Sequence, residues 1–95
     1  MKTTIQTLHF TAKPELDDYV TKKVNKLSHF YDRIVSASVC LKLDKSDTNE
    51  NKVCEIRLEV PGKDLFAIKQ SKTFEEAAND TVDALEQQLK KLKQA

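Results

Sequence analysis

The chain is poor in the residues that break or staple a fold: one glycine, two prolines, two cysteines and no tryptophan in 95 residues. With Gly62 as the sole glycine, no glycine-rich loop for phosphates and no dinucleotide fingerprint can be built, which excludes nucleotide chemistry of those kinds. Long apolar runs are missing too. No stretch approaches the roughly 20 residues that span a bilayer, and Met1-Lys2-Thr3-Thr4 lacks the apolar core of a signal peptide, so a cytoplasmic protein with no membrane partner is expected. Cys40 and Cys54 fall in neighbouring predicted strands at opposite phases of the alternation, which forbids a bridge and leaves two reduced thiols. A strong net charge is also absent: 16 Lys and Arg stand against 15 Asp and Glu, a formal +1, whereas a nucleic-acid-binding domain is as a rule strongly basic.

Nor is a catalytic constellation assembled by local spacing. His9 and His29 lie on different predicted elements, with no Cys or carboxylate at ligand spacing. Asp17 and Asp18 are adjacent, so they diverge on a helix and suit its positive N-terminal end. No catalytic residue, metal site, cofactor or small-molecule substrate is therefore assigned, and the chain is not expected to be an enzyme.

What is present is the composition of an ordinary folded protein, 39% apolar and 33% charged, on a length that supplies one core; a single domain over residues 1–95 is expected. Thr4 to Phe10 reads as a short strand, with Ile5 and Leu8 out of phase and hence a bulge or irregular edge. Pro14 suits the first turn of a helix in which Leu16, Val20, Val24, Leu27 and Tyr31 recur at spacings of three and four. Beyond Asp32-Arg33 the period changes to two: Ala37, Val39, Leu41 and Leu43 make one run, and Cys54, Ile56, Leu58 and Val60 the next, joined by a polar loop from Asp44 to Asn51. Matching the apolar faces predicts a hairpin that opposes Leu41 to Ile56 and Lys42 to Glu55. Pro61-Gly62 marks a type II turn into a strand from Leu65 to Lys69, and Thr73 with Glu76 forms a capping box for a closing helix. Tyr19, Phe30, Tyr31, Phe66 and Phe74 mostly take core phases, and core packing is expected for most of them.

The order β-α-β-β-β-α predicts an α+β fold, a two-layer sandwich with a four-stranded mixed sheet and both helices on one face. The first two strands flank a helical crossover and should be parallel, the later ones antiparallel.

Charge is unevenly placed. Lys22, Lys23, Lys26 and Arg33 cluster around the first helix, and Lys90, Lys91 and Lys93 close the chain, while acids gather at Asp17-Asp18, Asp44 to Glu50 and Glu75 to Asp83. Side by side on the sheet, the two helices would join these lysines into one basic surface. Such runs serve either as solvated faces or as polyanion-binding surfaces, and the residues alone leave both open.

The stretch Phe10-Thr11-Ala12-Lys13-Pro14-Glu15-Leu16, the run Val20 to Leu27, Tyr31-Asp32-Arg33-Ile34 and the closing Leu85-Glu86-Gln87-Gln88-Leu89-Lys90-Lys91-Leu92 together resemble the ribosome hibernation promoting factor family, which includes the ribosome-associated inhibitor protein Y. The resemblance covers nearly the whole chain in order. It implies a fold related in shape to double-stranded RNA-binding domains and binding to the small ribosomal subunit between head and body. It further implies occlusion of the tRNA and mRNA sites near the decoding centre, so that ribosomes are stored inactive during stress or stationary phase. By the same resemblance the rRNA-binding residues are Lys22, Lys23, Lys26, Arg33, Lys90 and Lys91, with Lys93 in the same tail. At Gln87 relatives commonly carry arginine, which together with the near-neutral charge implies binding that is weaker or more reliant on shape. The chain is expected to be a short family member, without the dimerisation domain of the long ones, so that pairing of ribosomes should need a separate ribosome modulation factor. Beside this reading stand a general double-stranded RNA-binding module and a protein-interaction domain.

Overall fold

A computed structural model describes residues 1–44 and 49–94. Its elements follow the expected order: β1 (Lys2–Leu8), α1 (Pro14–Phe30), β2 (Ser36–Leu43), β3 (Lys52–Val60), β4 (Lys63–Ser71) and α2 (Phe74–Gln94). The strands form one sheet in the order β1-β2-β3-β4, with β1 parallel to β2 and the later pairs antiparallel. Part of the polar loop between β2 and β3, residues 45–48, lies outside the described residues.

The core lies between the sheet and the helices. Ala37, Val39 and Leu41 of β2, Cys54, Ile56 and Leu58 of β3, and Leu65 and Ala67 of β4 face Val20, Val24 and Leu27 of α1 and Ala77, Ala78, Leu85 and Leu89 of α2. Period two and period 3.6 thus converge on one apolar layer. The helices run side by side in the same direction: Asn79 Nδ2 donates to the Tyr19 hydroxyl at 2.8 Å near their starts, and Lys93 reaches Phe30 near their ends. Thr81, fully buried, ties α2 to its own turn and to the sheet, its hydroxyl lying 2.7 Å from the Ala77 carbonyl and 3.1 Å from the Cys54 carbonyl. Phe10 and Phe74 stack with centroids 4.4 Å apart, pinning the entry to α1 against the start of α2. The preceding His9 takes φ +71° to turn the chain there, a conformation histidine tolerates better than most residues.

Several local expectations are corrected. β1 begins two residues early and shows no bulge: Thr3, Ile5 and Thr7 point inward in a regular parallel register, while Leu8 is left 39% exposed. Inward threonines, polar by composition and β-branched by shape, hid that alternation. The hairpin register is displaced by two residues, pairing Leu41 with Cys54 and Val39 with Ile56. A shift of two leaves every side chain on its expected face, so alternation cannot distinguish the registers. The backbone bonds that close the hairpin at its two ends do, Asp44 N–H to Asn51 C=O and Val35 N–H to Glu59 C=O, both 2.8 Å. Lys42 and Glu55 are consequently diagonal rather than opposite neighbours, yet their ion pair forms at 3.1 Å, and the carboxylate raises the lysine pKa. Phe66 is not in the core; it lies on the sheet face away from the helices, 46% exposed, with the Arg57 guanidinium 5.9 Å from its ring centroid. Only half of the capping box forms, since Glu76 N–H donates to Thr73 Oγ1 at 3.1 Å while its carboxylate accepts from the Ser71 hydroxyl at 2.7 Å. Gly62 has φ +86°, as the second central residue of a type II turn requires.

Both thiols are free, Cys40 half-buried and Cys54 buried. Burial pushes the Cys54 thiol up from an ordinary 9.0 to about 11, against a smaller opposing pull from Thr81. An unfolded chain ionises this thiol near 9 whereas the folded one keeps its proton, so its contribution to stability is lost as pH rises from 9 towards 11. The loss is about 1 kcal/mol by pH 10. Urea unfolding of the wild type and of Cys54→Ala between pH 8 and 10 checks this: the variant is expected to lose less stability over that range. Parallel profiles would refute the assignment.

Candidate nucleic-acid interface

Helical spacing places Lys22 and Lys26 one turn apart on the exposed side of α1, and His29, three residues further, continues the strip. Arg33, just past the helix end, is exposed and lines a cleft of about 510 Å³ with His29, Tyr31 and Lys93. Lys23 departs from the strip. It is half-buried, its ammonium 5.5 Å from the centroid of the Tyr19 ring, and it faces the groove between the helices.

On α2 the basic residues divide. Lys93 turns toward α1, where Nζ donates to the Phe30 carbonyl at 3.2 Å and sits 4.9 Å from the centroid of that ring. A cation at this point compensates the negative end of the α1 dipole and satisfies one of its unpaired terminal carbonyls. Lys90 is exposed one turn beyond Glu86, hence on the side toward α1. Lys91 points elsewhere: it shares a cleft of about 280 Å³ with Lys63, Leu65 and Gln88, at the β4 side of the helix. The single basic surface expected from the sequence is therefore two sectors. Lys22, Lys26, Arg33 and Lys93 approach one another along α1 and its C-terminal end, with Lys90 flanking, and Lys91 joins Lys63.

Sequence reasoning missed His29, Lys63 and two acids. His29 was legible, at i+3 from Lys26. Lys63 was not, because its proximity to Lys91 depends on how β4 packs under α2. The acids are Asp83 and Glu86, which line a groove of about 270 Å³ together with Lys23, Lys26 and Phe30. Among the described residues neither lysine makes an ion pair within 4.0 Å with them. Such an arrangement supplies cations at the surface for phosphate oxygens, a short run of unpaired donors on rigid helices, and a carboxylate-lined floor beside them. Among the described residues no three His, Cys, Asp or Glu side chains are grouped to hold a metal ion, and no helix is long and apolar enough to cross a membrane.

Residues 3–95 match the protein family described as Sigma 54 modulation protein / S30EA ribosomal protein. A ribosome hibernation promoting factor of Pseudomonas putida is 30% identical over 94 residues, covering 99% of this chain and 88% of that protein. Its counterpart in Klebsiella oxytoca is 31% identical over 80 residues, covering 84% and 80%. Among solved structures, a ribosomal subunit interface protein from Coxiella burnetii superposes with a TM-score of 0.89 at 20% identity, covering 100% of both chains. The N-terminal domain of Thermus thermophilus Protein Y superposes with a TM-score of 0.82 at 25% identity, covering 97% of this chain and 99% of that one.

Proposed function

The chain belongs to the Sigma 54 modulation protein / S30EA ribosomal protein family, and from that premise we propose that it is a ribosome hibernation factor that works by binding, not by catalysis. It binds the small ribosomal subunit and its rRNA near the decoding centre, blocks the tRNA and mRNA sites, and holds ribosomes inactive in the cytoplasm during stress or stationary phase. The observation that carries this reading is the near full-length likeness to hibernation promoting factors. The α1 strip gives it a physical means. Lys22, Lys26 and Arg33 take rRNA phosphates, Lys23, Lys90 and Lys93 support them from the groove and the helix ends, and Lys91 reaches a separate stretch of backbone with Lys63. Gln87, exposed three residues before Lys90 and four before Lys91, supplies no cation between these sectors. A separate ribosome modulation factor is proposed as a further partner.

Sedimentation of the protein with purified small subunits through sucrose tests the reading. Co-sedimentation is expected at low salt, and about four phosphate contacts should weaken the affinity roughly 150-fold between 50 and 200 mM monovalent salt. Failure to co-sediment at the lower concentration refutes the proposal. Equal affinity for subunits and for a free RNA duplex would replace it with a general duplex-RNA module.

A further inference from the structure

We infer that Asp83 and Glu86 are specificity determinants of the helical face, placed to reject generic polyanions; the inference rests on the proposed function. The acids at the start of α2, Glu75 and Glu76, are accounted for by the positive end of the helix dipole. Asp83 and Glu86 are not. They sit in the middle of a 21-residue helix, beyond the first turn in which that effect operates. Both line the inter-helix groove with Lys23 and Lys26. Glu86 precedes Lys90 by four residues, a spacing that favours an ion pair, yet among the described residues none forms within 4.0 Å.

A regular RNA duplex offers closely spaced phosphates along its backbone. Laid across α1, a duplex that brings phosphate oxygens to Lys23 and Lys26 also brings negative charge to the groove those lysines share with the two carboxylates, where the repulsion is only partly screened. Folded ribosomal RNA adds loops and bulges to its helices, in which splayed base-edge donors can stand opposite a carboxylate while phosphates stand opposite a lysine. The groove therefore penalises uniform negative charge and tolerates a patterned surface, and discrimination of this kind arises from a repulsive element rather than from added attraction. It also gives a use to the near-neutral balance of 16 basic and 15 acidic residues.

The test compares wild type with the near-isosteric double variant Asp83→Asn/Glu86→Gln, binding a 20-base-pair RNA duplex and purified small subunits at one salt concentration. Removing two partly screened carboxylate charges should tighten duplex binding about threefold to fivefold. Subunit binding should change less, so the selectivity ratio falls. An unchanged or increased ratio overturns the inference, as does weaker duplex binding, which would mean that the carboxylates accept hydrogen bonds from RNA. Should wild type fail to bind subunits, the functional reading falls by itself, and the duplex measurement still reads the repulsion: a rise supports it and its absence overturns it.

Discussion

Replacement of Lys22, Lys23 and Lys26 together by glutamate is expected to weaken binding to small subunits by at least about 100-fold and to flatten its salt dependence by two to three units of the log–log slope. Each lost phosphate contact removes about one unit, and Lys23, half-buried over Tyr19, is the one whose share is least complete. Reversal does more than removal. Two of the new carboxylates, at positions 23 and 26, would join Asp83 and Glu86 at the groove, and the third, at position 22, would make the outer strip of α1 acidic as well. The matching change to glutamine separates the two effects, since it deletes the cations without adding charge and should weaken binding by a smaller factor. None of the three lysines is in the core, so thermal unfolding should move little, with the Lys23 contact to the Tyr19 ring contributing on the order of 1 kcal/mol or less. Subunit binding that survives the glutamate variant undiminished would remove RNA contact from this face and favour a protein-interaction domain.

Much of this architecture was legible in the sequence for local reasons. Pro14 and Thr73 mark helix starts because the first opens a turn that needs no N–H and the second caps one, and the bonds at Thr73 bear this out. The apolar periods of α1 and α2 identify Val20, Val24, Leu27, Leu85 and Leu89, all buried. What was not legible depends on distances between elements. A two-residue slide of β2 against β3 leaves the pattern of faces unchanged, so only the hairpin closure reveals it. Phe66 lies between inward Leu65 and Ala67, and a strand apolar on both faces does not say which face is covered. The basic cluster was visible as a list of lysines. Its division into an α1 sector and a Lys91–Lys63 sector, and the carboxylates set beside Lys23 and Lys26, come from the packing of α2 against α1 and β4.

Leu85→Ala is expected to have the largest effect on stability and almost none on the binding chemistry. Leu85 is 0% exposed, halfway along α2 and part of the core shared with Leu41, Ile56 and Leu89. Truncation removes the transfer free energy of its methyl groups and leaves a cavity that a two-layer fold closes only in part, a cost of about 3 kcal/mol. A domain of this size has a total stability on the order of 5–14 kcal/mol, and each kcal/mol shifts the midpoint by about 4–8 °C, so Tm should fall on the order of 15 °C. Lys91→Ala, on an exposed part of the same helix, should change stability by less than about 0.5 kcal/mol. Below its transition the Leu85 variant keeps both helices on the sheet and every lysine in place. Its affinity for small subunits measured in the cold should therefore match wild type, the reverse of the glutamate variant, which loses affinity and keeps its melting temperature. A Tm drop under about 5 °C would show that α2 is not anchored through Leu85, and a parallel loss of binding in the cold would show that the orientation of α2 sets the grip as much as its charge does.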